Sequence, residues 1–135
     1  MKLLLDTNVL LEVLARREPH WAASARVLSR IEAGDAQGLI AAHGVTTVHC
    51  LLSRHLTRKK ADVAISQLLD LLQVAPLDHG IMLRALALNW RDFEDAVQAA
   101  AALGAKATHL ITRNPRDFAA LGIPVLTPEE FLRSA

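Results

Sequence analysis

The chain has 135 residues, with Lys+Arg 15 against Asp+Glu 14 and a formal net charge of +1. That balance excludes a globally basic nucleic-acid binder, so any contact with nucleic acid must come from local patches. The apolar fraction of 52% is above the soluble average and the charged fraction of 21% is slightly below it, which fits a fully covered parallel sheet or an extra apolar face kept for a partner.

The length suits one domain spanning residues 1–135, with enough chain to bury a single core. A lone Cys50 precludes an internal disulfide and fits a reducing compartment; set in an apolar helical stretch, it is expected to be a small buried hydrophobe. The N-terminal apolar stretch is interrupted at Asp6, far short of a secretory core or a membrane span. A cytoplasmic protein without membrane contact is the expectation.

In chain order, Leu3 to Leu5 is a short apolar run expected to be a buried parallel strand ending at Asp6. Asn8 then stands where it can cap a helix over Val9–Leu14. Pro19 is expected to open a second helix whose apolar residues Trp21, Ala25, Leu28 and Ile31 follow helical spacing, with Gly34 at its end. Gly38 to Ala42 is the second strand. His43 to His55 is expected to be mostly helix despite the β-branched Val45, Thr46, Thr47 and Val48. Another helix starts at Thr57 or Asp62, and Val74–Leu77 is a short edge strand interrupted by Pro76. Asp78 opens a helix to about Asn89. Asp92 caps the next, which runs to about Leu103 with Gly104 as its stop. Thr108 to Ile111 is a strand, followed by a loop to Phe118, a short helical turn ending at Gly122 and an edge strand over Pro124–Leu126. Thr127-Pro128-Glu129-Glu130 starts a last helix. The alternation predicts a three-layer α/β/α sandwich around a mainly parallel sheet of four to five strands.

Open parallel sheets bind ligands outside the carboxyl ends of their strands. Asp6 follows the first strand, and Thr112 and Asn114 follow a later one. Asp92 and Asp95, three apart at a helix start, share a face. Asp6, Asp92, Asp95 and Asp117 can therefore converge with Asn8 and Asn114. Crowded carboxylates repel one another, and a divalent cation removes that penalty. Oxygen donors without a Cys/His cluster select Mg²⁺ or Mn²⁺ over Zn²⁺, and water acidified by such a metal can attack phosphorus in line. Taken singly, each of these residues also reads as an ordinary cap or turn residue; their coincidence at one sheet edge is what points to chemistry.

Three segments carry a family likeness: Leu5-Asp6-Thr7-Asn8-Val9-Leu10, Phe93-Glu94-Asp95-Ala96, and Ile111-Thr112-Arg113-Asn114-Pro115-Arg116-Asp117-Phe118. Together they resemble a PIN domain, most nearly the small single-domain proteins of VapC type, over essentially the whole chain. The resemblance implies an α/β/α fold, Mg²⁺- or Mn²⁺-dependent ribonuclease activity, and the toxin role in a toxin–antitoxin pair, as a homodimer held off by a small antitoxin. It makes Asp6 the family's first acid and Asp95 the acid opening the late helix, the pair expected to hold the metal. It aligns Asn114 with the last acid of many members, Thr112 with the Thr before it, and Asp117 with the Asp preceding Phe. The middle-helix Glu of a Thr-x-x-Glu context falls on His49, a supporting residue able to bind phosphate or relay a proton. With two acids replaced, Asp92 and Asp117 are expected to compensate.

RNA contacts are expected from Arg113 and Arg116 beside the acidic motif and from Arg58 and Lys59 in the densest basic stretch. Aromatic residues are few, so base stacking is not expected to carry recognition, and Trp21 and Trp90 read as core or dimer contacts. Two other readings are open from these residues: a degenerate PIN domain that binds RNA or a protein without cutting, and an aspartyl-phosphate phosphatase of haloacid-dehalogenase type. The latter needs an Asp where this chain has Asn8.

Overall fold

A computed structural model describes residues 1–118 and 121–134. Five strands, β1 (Lys2–Leu5), β2 (Gln37–Ala41), β3 (Leu72–Ala75), β4 (His109–Ile111) and β5 (Val125–Leu126), form one sheet in the order β3-β2-β1-β4-β5. Every pairing is parallel. The helices are α1 (Thr7–Leu14), α2 (Trp21–Glu32), α3 (Ala42–His55), α4 (Arg58–Leu71), α5 (His79–Leu88), α6 (Phe93–Gly104) and α7 (Pro128–Ser134), with a 3₁₀ turn over Pro115–Phe118.

The sheet is covered on both faces, which accounts for the apolar excess. Alternation along β1 sends Leu3 and Leu5 into a core with Val9, Val27, Val48, Leu68 and Phe131 from α1, α2, α3, α4 and α7. Leu4 points the other way, into a core with Leu39, Leu110, Phe118 and the alanines of α6. The chain steps outward from β1 to β3 and then returns to β4 on the opposite side of β1. The crevice between the carboxyl ends of β1 and β4 is thus the topological switch point, where open sheets place their ligands.

Local chemistry fixes most boundaries. Thr57, Asp78 and Asp92 cap their helices, each side-chain oxygen accepting from the backbone N–H three residues on, at 3.2, 2.8 and 3.1 Å. Thr127 and Glu130 form a reciprocal capping box at 3.1 and 3.0 Å. Asn89 ends α5 in the left-handed conformation.

Several expectations need correction. Helix α1 begins at Thr7 with Asp6 as its cap residue, so Asn8 is an exposed residue of the first turn and not the cap. Pro19 lies in the turn before α2, which starts at Trp21. Strand β3 begins at Leu72, directly off α4. Cys50 is exposed. Gly104 does not stop α6 by adopting a left-handed turn; that conformation falls on Lys106 (φ 59). Gly104 instead makes room for the Ile81 side chain of α5, since a Cβ there would run into Ile81 Cδ1. The expected helical turn ending at Gly122 runs partly through residues 119–120, outside the described residues. Among the described residues, no helix is long and apolar enough to cross a membrane.

Candidate active site

Asp6 is the last residue out of β1 and is almost fully buried. Its backbone N–H donates to Ile111 O at 2.9 Å, which locks the ends of β1 and β4 together. Its carboxylate takes one hydrogen bond on each oxygen, from Gln98 Nε2 at 2.5 Å and from Thr112 Oγ1 at 2.8 Å. Burial raises the Asp6 pKa, while the Gln98 and Thr112 hydrogen bonds oppose the rise. The two donors fix the carboxylate's orientation and leave each oxygen with further acceptor capacity.

Helix α6 supplies the rest of the acidic wall. Its residues Ala96 to Ala102 are buried, so this Ala-rich rod lies against the sheet, and its N-terminus, with the favourable end of its dipole, reaches the crevice. Carboxylate oxygens of Asp92, Glu94 and Asp95 lie within 4.8 Å of one another. The Asp95 pKa is raised to about 7, first by burial and then by the charges of Asp92, Asp6, Glu94 and Asp117. Gln98 bridges two of the acids, because the Nε2 that bonds Asp6 also donates to Glu94 Oε1 at 3.2 Å. His43 Nε2, on α3, lies 3.2 Å from that same Glu94 oxygen.

The acids surround a cavity of about 440 Å³ lined by Asp6, Asn8, Asp92, Glu94, Asp95, Asn114 and Asp117, with Thr7, Leu11, Thr47 and Leu51. All four expected acids and both expected asparagines are therefore brought together. Thr112 lies beneath them, buried, and its Oγ1 accepts from Asn114 N–H at 3.2 Å, which holds the loop against Asp6. The donor set consists of oxygens, most of them from crowded carboxyl groups, as a hard divalent cation requires.

Two expected site residues are placed elsewhere. His49 turns away to α4, its Nε2 2.6 Å from Asp62 Oδ1. The α3 residues on the cavity are Thr47 and Leu51, and a residue two positions from Thr47 falls on another helix face. Arg113 is also unavailable to a phosphate. Its Nε and Nη2 donate to Glu12 at 2.9 Å each, and its Nη1 donates to Glu129 at 2.6 Å. Arg116 is exposed and lines a second, neighbouring cavity. Arg58 and Lys59 are exposed at the start of α4 and line neither cavity.

The residues missed from sequence are Glu94, Gln98 and Thr47. Gln98 stands three residues after Asp95 and four after Glu94, so helical spacing alone would have placed it on their face. Its polarity inside an alanine run was the available signal.

A family model for the PIN domain matches residues 2–116. The chain belongs to the PIN domain family. Among curated proteins it is similar to "Ribonuclease VapC1" of Aquifex aeolicus (strain VF5), with 28% identity over 96% of this chain and 92% of the relative. Among solved structures, a toxin–antitoxin complex from Klebsiella pneumoniae is 28% identical, covers 93% of this chain and 96% of its own, and has a TM-score of 0.70. The VapBC-1 structure from nontypeable Haemophilus influenzae shares the PIN fold at a TM-score of 0.74 and 16% identity, over 96% of this chain and 99% of its own. The segments that carried the resemblance in the sequence are thus the ones that meet at the switch point of the PIN sheet.

Proposed function

We propose that this protein is a divalent-metal-dependent ribonuclease that hydrolyses RNA phosphodiester bonds, and that it is the toxin of a toxin–antitoxin pair. The observation that carries this reading is Asp6, buried and hydrogen-bonded on both oxygens, lining one carboxylate-rich cavity with Asp95 in a PIN fold. Asp6 and Asp95 would hold the metal, with Glu94 or Asp92 beside them. Mg²⁺ or Mn²⁺ fits the oxygen donors better than Zn²⁺. Such an ion supplies charge stabilisation at the phosphoryl oxygens and acidifies a bound water. The protein's own part is positional. Gln98 and Thr112 orient the Asp6 carboxylate and oppose the rise in pKa that its burial causes, and Asp117 and Asn114 line the same cavity.

Supporting the toxin role, a curated relative is named a VapC ribonuclease and a similar solved structure is a toxin–antitoxin complex. A small antitoxin is the partner in this reading, and the protein acts in the cytoplasm as a homodimer. Met82, Leu83 and Leu86, apolar and exposed on α5, offer a surface for pairing.

A non-cutting PIN domain is the second reading, favoured by the neutral Thr47 and Asn114 on the cavity. Cleavage of a structured RNA with Mg²⁺, with Mn²⁺ and with chelator separates the two. The ribonuclease reading expects metal-dependent cleavage that Asp95→Asn lowers by about 100-fold or more. Equal inertness of wild type and Asp95→Asn, with RNA still bound, would establish the second reading.

A further inference from the structure

Next to the acidic cavity lies a second one of about 690 Å³, lined by Trp90, Arg91, Asp92, Phe93, Asp95, Arg116 and Asp117. Asp92, Asp95 and Asp117 belong to both cavities. A ligand in the second cavity is therefore contiguous with whatever the carboxylates hold.

Two features of its walls are open to solvent. Phe93, the first residue of α6, is 44% exposed, whereas Trp90 packs edge-on to Phe118 with ring centroids 5.9 Å apart. An exposed aromatic ring beside a charged cleft gives up the burial that its type normally secures. Arg91 and Arg116 form no ion pair among the described residues, although three carboxylates line the same cavity. Unpaired guanidinium groups next to a cation-binding pocket match a polyanion, whose phosphates can bridge both.

We propose that this second cavity binds the nucleotide adjoining the phosphate presented to the carboxylates, with its base against the Phe93 ring and its phosphate on Arg91 and Arg116. The proposal rests on the ribonuclease reading and adds a requirement on the substrate. A base inside an A-form duplex is stacked between its neighbours and cannot offer its face to a side chain. The strand must therefore be unpaired at this nucleotide, in a loop, a bulge or a single-stranded end. The volume suits one nucleotide, and stacking on one ring tolerates any base. Scarcity of aromatics along the chain is thus compatible with stacking at one position.

Binding and cleavage are read separately. A short single-stranded RNA carrying 2-aminopurine is titrated into Asp6→Asn protein, with and without Phe93→Ala. The proposal expects base fluorescence to be quenched on binding and Phe93→Ala to weaken affinity about tenfold. Phe93→Trp should restore it, and a blunt duplex of the same sequence should bind equally well with and without Phe93→Ala. Arg91→Ala and Arg116→Ala should each weaken binding, and the double variant should lower its salt dependence by about one phosphate contact. In the otherwise wild-type enzyme, Phe93→Ala should raise KM for unpaired RNA. Unchanged affinity and KM in Phe93→Ala would overturn the proposal while leaving a cleaving enzyme intact, and so would a Phe93→Ala effect confined to sedimentation as a dimer. Phe93-dependent quenching in a protein that cuts nothing would sustain the site and sink the nuclease reading instead.

Discussion

Arg113 grips Glu12 with two parallel hydrogen bonds, from Nε and Nη2, both 2.9 Å long. Ser24 Oγ donates to the same Glu12 carboxylate at 2.7 Å, and Glu129 takes the remaining face of the guanidinium. One side chain thus ties the loop after β4 to α1, α2 and α7. The residues on either side of Arg113 are Thr112, which bonds Asp6, and Asn114, which lines the acidic cavity.

Arg113→Ala leaves Glu12 buried without its cation, which is expected to cost about 3 kcal/mol in urea or thermal unfolding. Arg113→Lys should recover little of this, because an ammonium cannot reproduce the two-pronged contact. The Glu12→Gln variant should be milder than Arg113→Ala, since an amide still accepts from Arg113. If Arg113→Ala lost less than about 0.5 kcal/mol, the network would be only a surface ion pair.

Asp95 should make the metal-free protein less stable as pH rises. Its carboxyl titrates near 7 in the folded chain against an ordinary value of 3.8, so between those values the folded state holds a proton that the unfolded state has released. Stability therefore falls as pH climbs through that window, and the penalty is complete above about pH 7. Burial of Asp6 adds a contribution of the same sign. Thermal midpoints in chelator are expected to be about 3–5 °C higher near pH 5 than near pH 8, a difference that Asp95→Asn largely removes. Adding Mg²⁺ or Mn²⁺ should restore stability at the higher pH. A flat profile in wild-type protein would show that the carboxylates do not crowd.

Thr112→Val removes one donor from buried Asp6 and strands a desolvated oxygen, so it should cost roughly 1–3 kcal/mol, whereas Thr112→Ser should be nearly neutral. Gln98→Leu does the same on the other oxygen. Both losses push the Asp6 pKa further up, since those hydrogen bonds oppose the effect of burial. The pH at which divalent metal is half bound should move upward in each, as followed by calorimetry or by Mn²⁺ relaxation. Unmoved midpoints would mean that Asp6 is not a ligand.

His49→Ala should leave cleavage within about twofold, because its ring is engaged with Asp62 and faces away from the cavity. Thr47→Glu places a carboxylate where α3 meets the cavity and should tighten divalent metal binding by about tenfold. A large loss from His49→Ala with an unaffected fold would restore that residue to the site.

The parts of this fold legible in the sequence are those written in local chemistry. The capping box at Thr127 and Glu130, the cap at Asp78 and the apolar run before Asp6 each announce a boundary through a neighbour a few positions away. The convergence of Asp6 and Asn114 was legible because strand ends in a parallel sheet share an edge, and Asp95 joined them through the helix-start motif of the family resemblance. The rotational phase of α3 was not legible. A slip of two residues exchanges Thr47 for His49, and its β-branched run gives no sharp apolar stripe to set the phase. The fate of Arg113 was equally hidden, since a cation beside an acidic motif reads as a phosphate contact until Glu12, 101 positions away, closes on it.

The Ile81–Gly104 contact, at the far end of α6, bears on how the site can change. Gly104 lets α5 press against α6 roughly 14 Å along the helix axis from Asp95. The same helix carries Phe93, Glu94 and Asp95 at its other end, so the glycine contact and the acidic wall are two ends of one buried element. A Cβ at Gly104 would meet only the tip of the Ile81 side chain, and a turn of that side chain would absorb it before the acids at the other end felt any displacement.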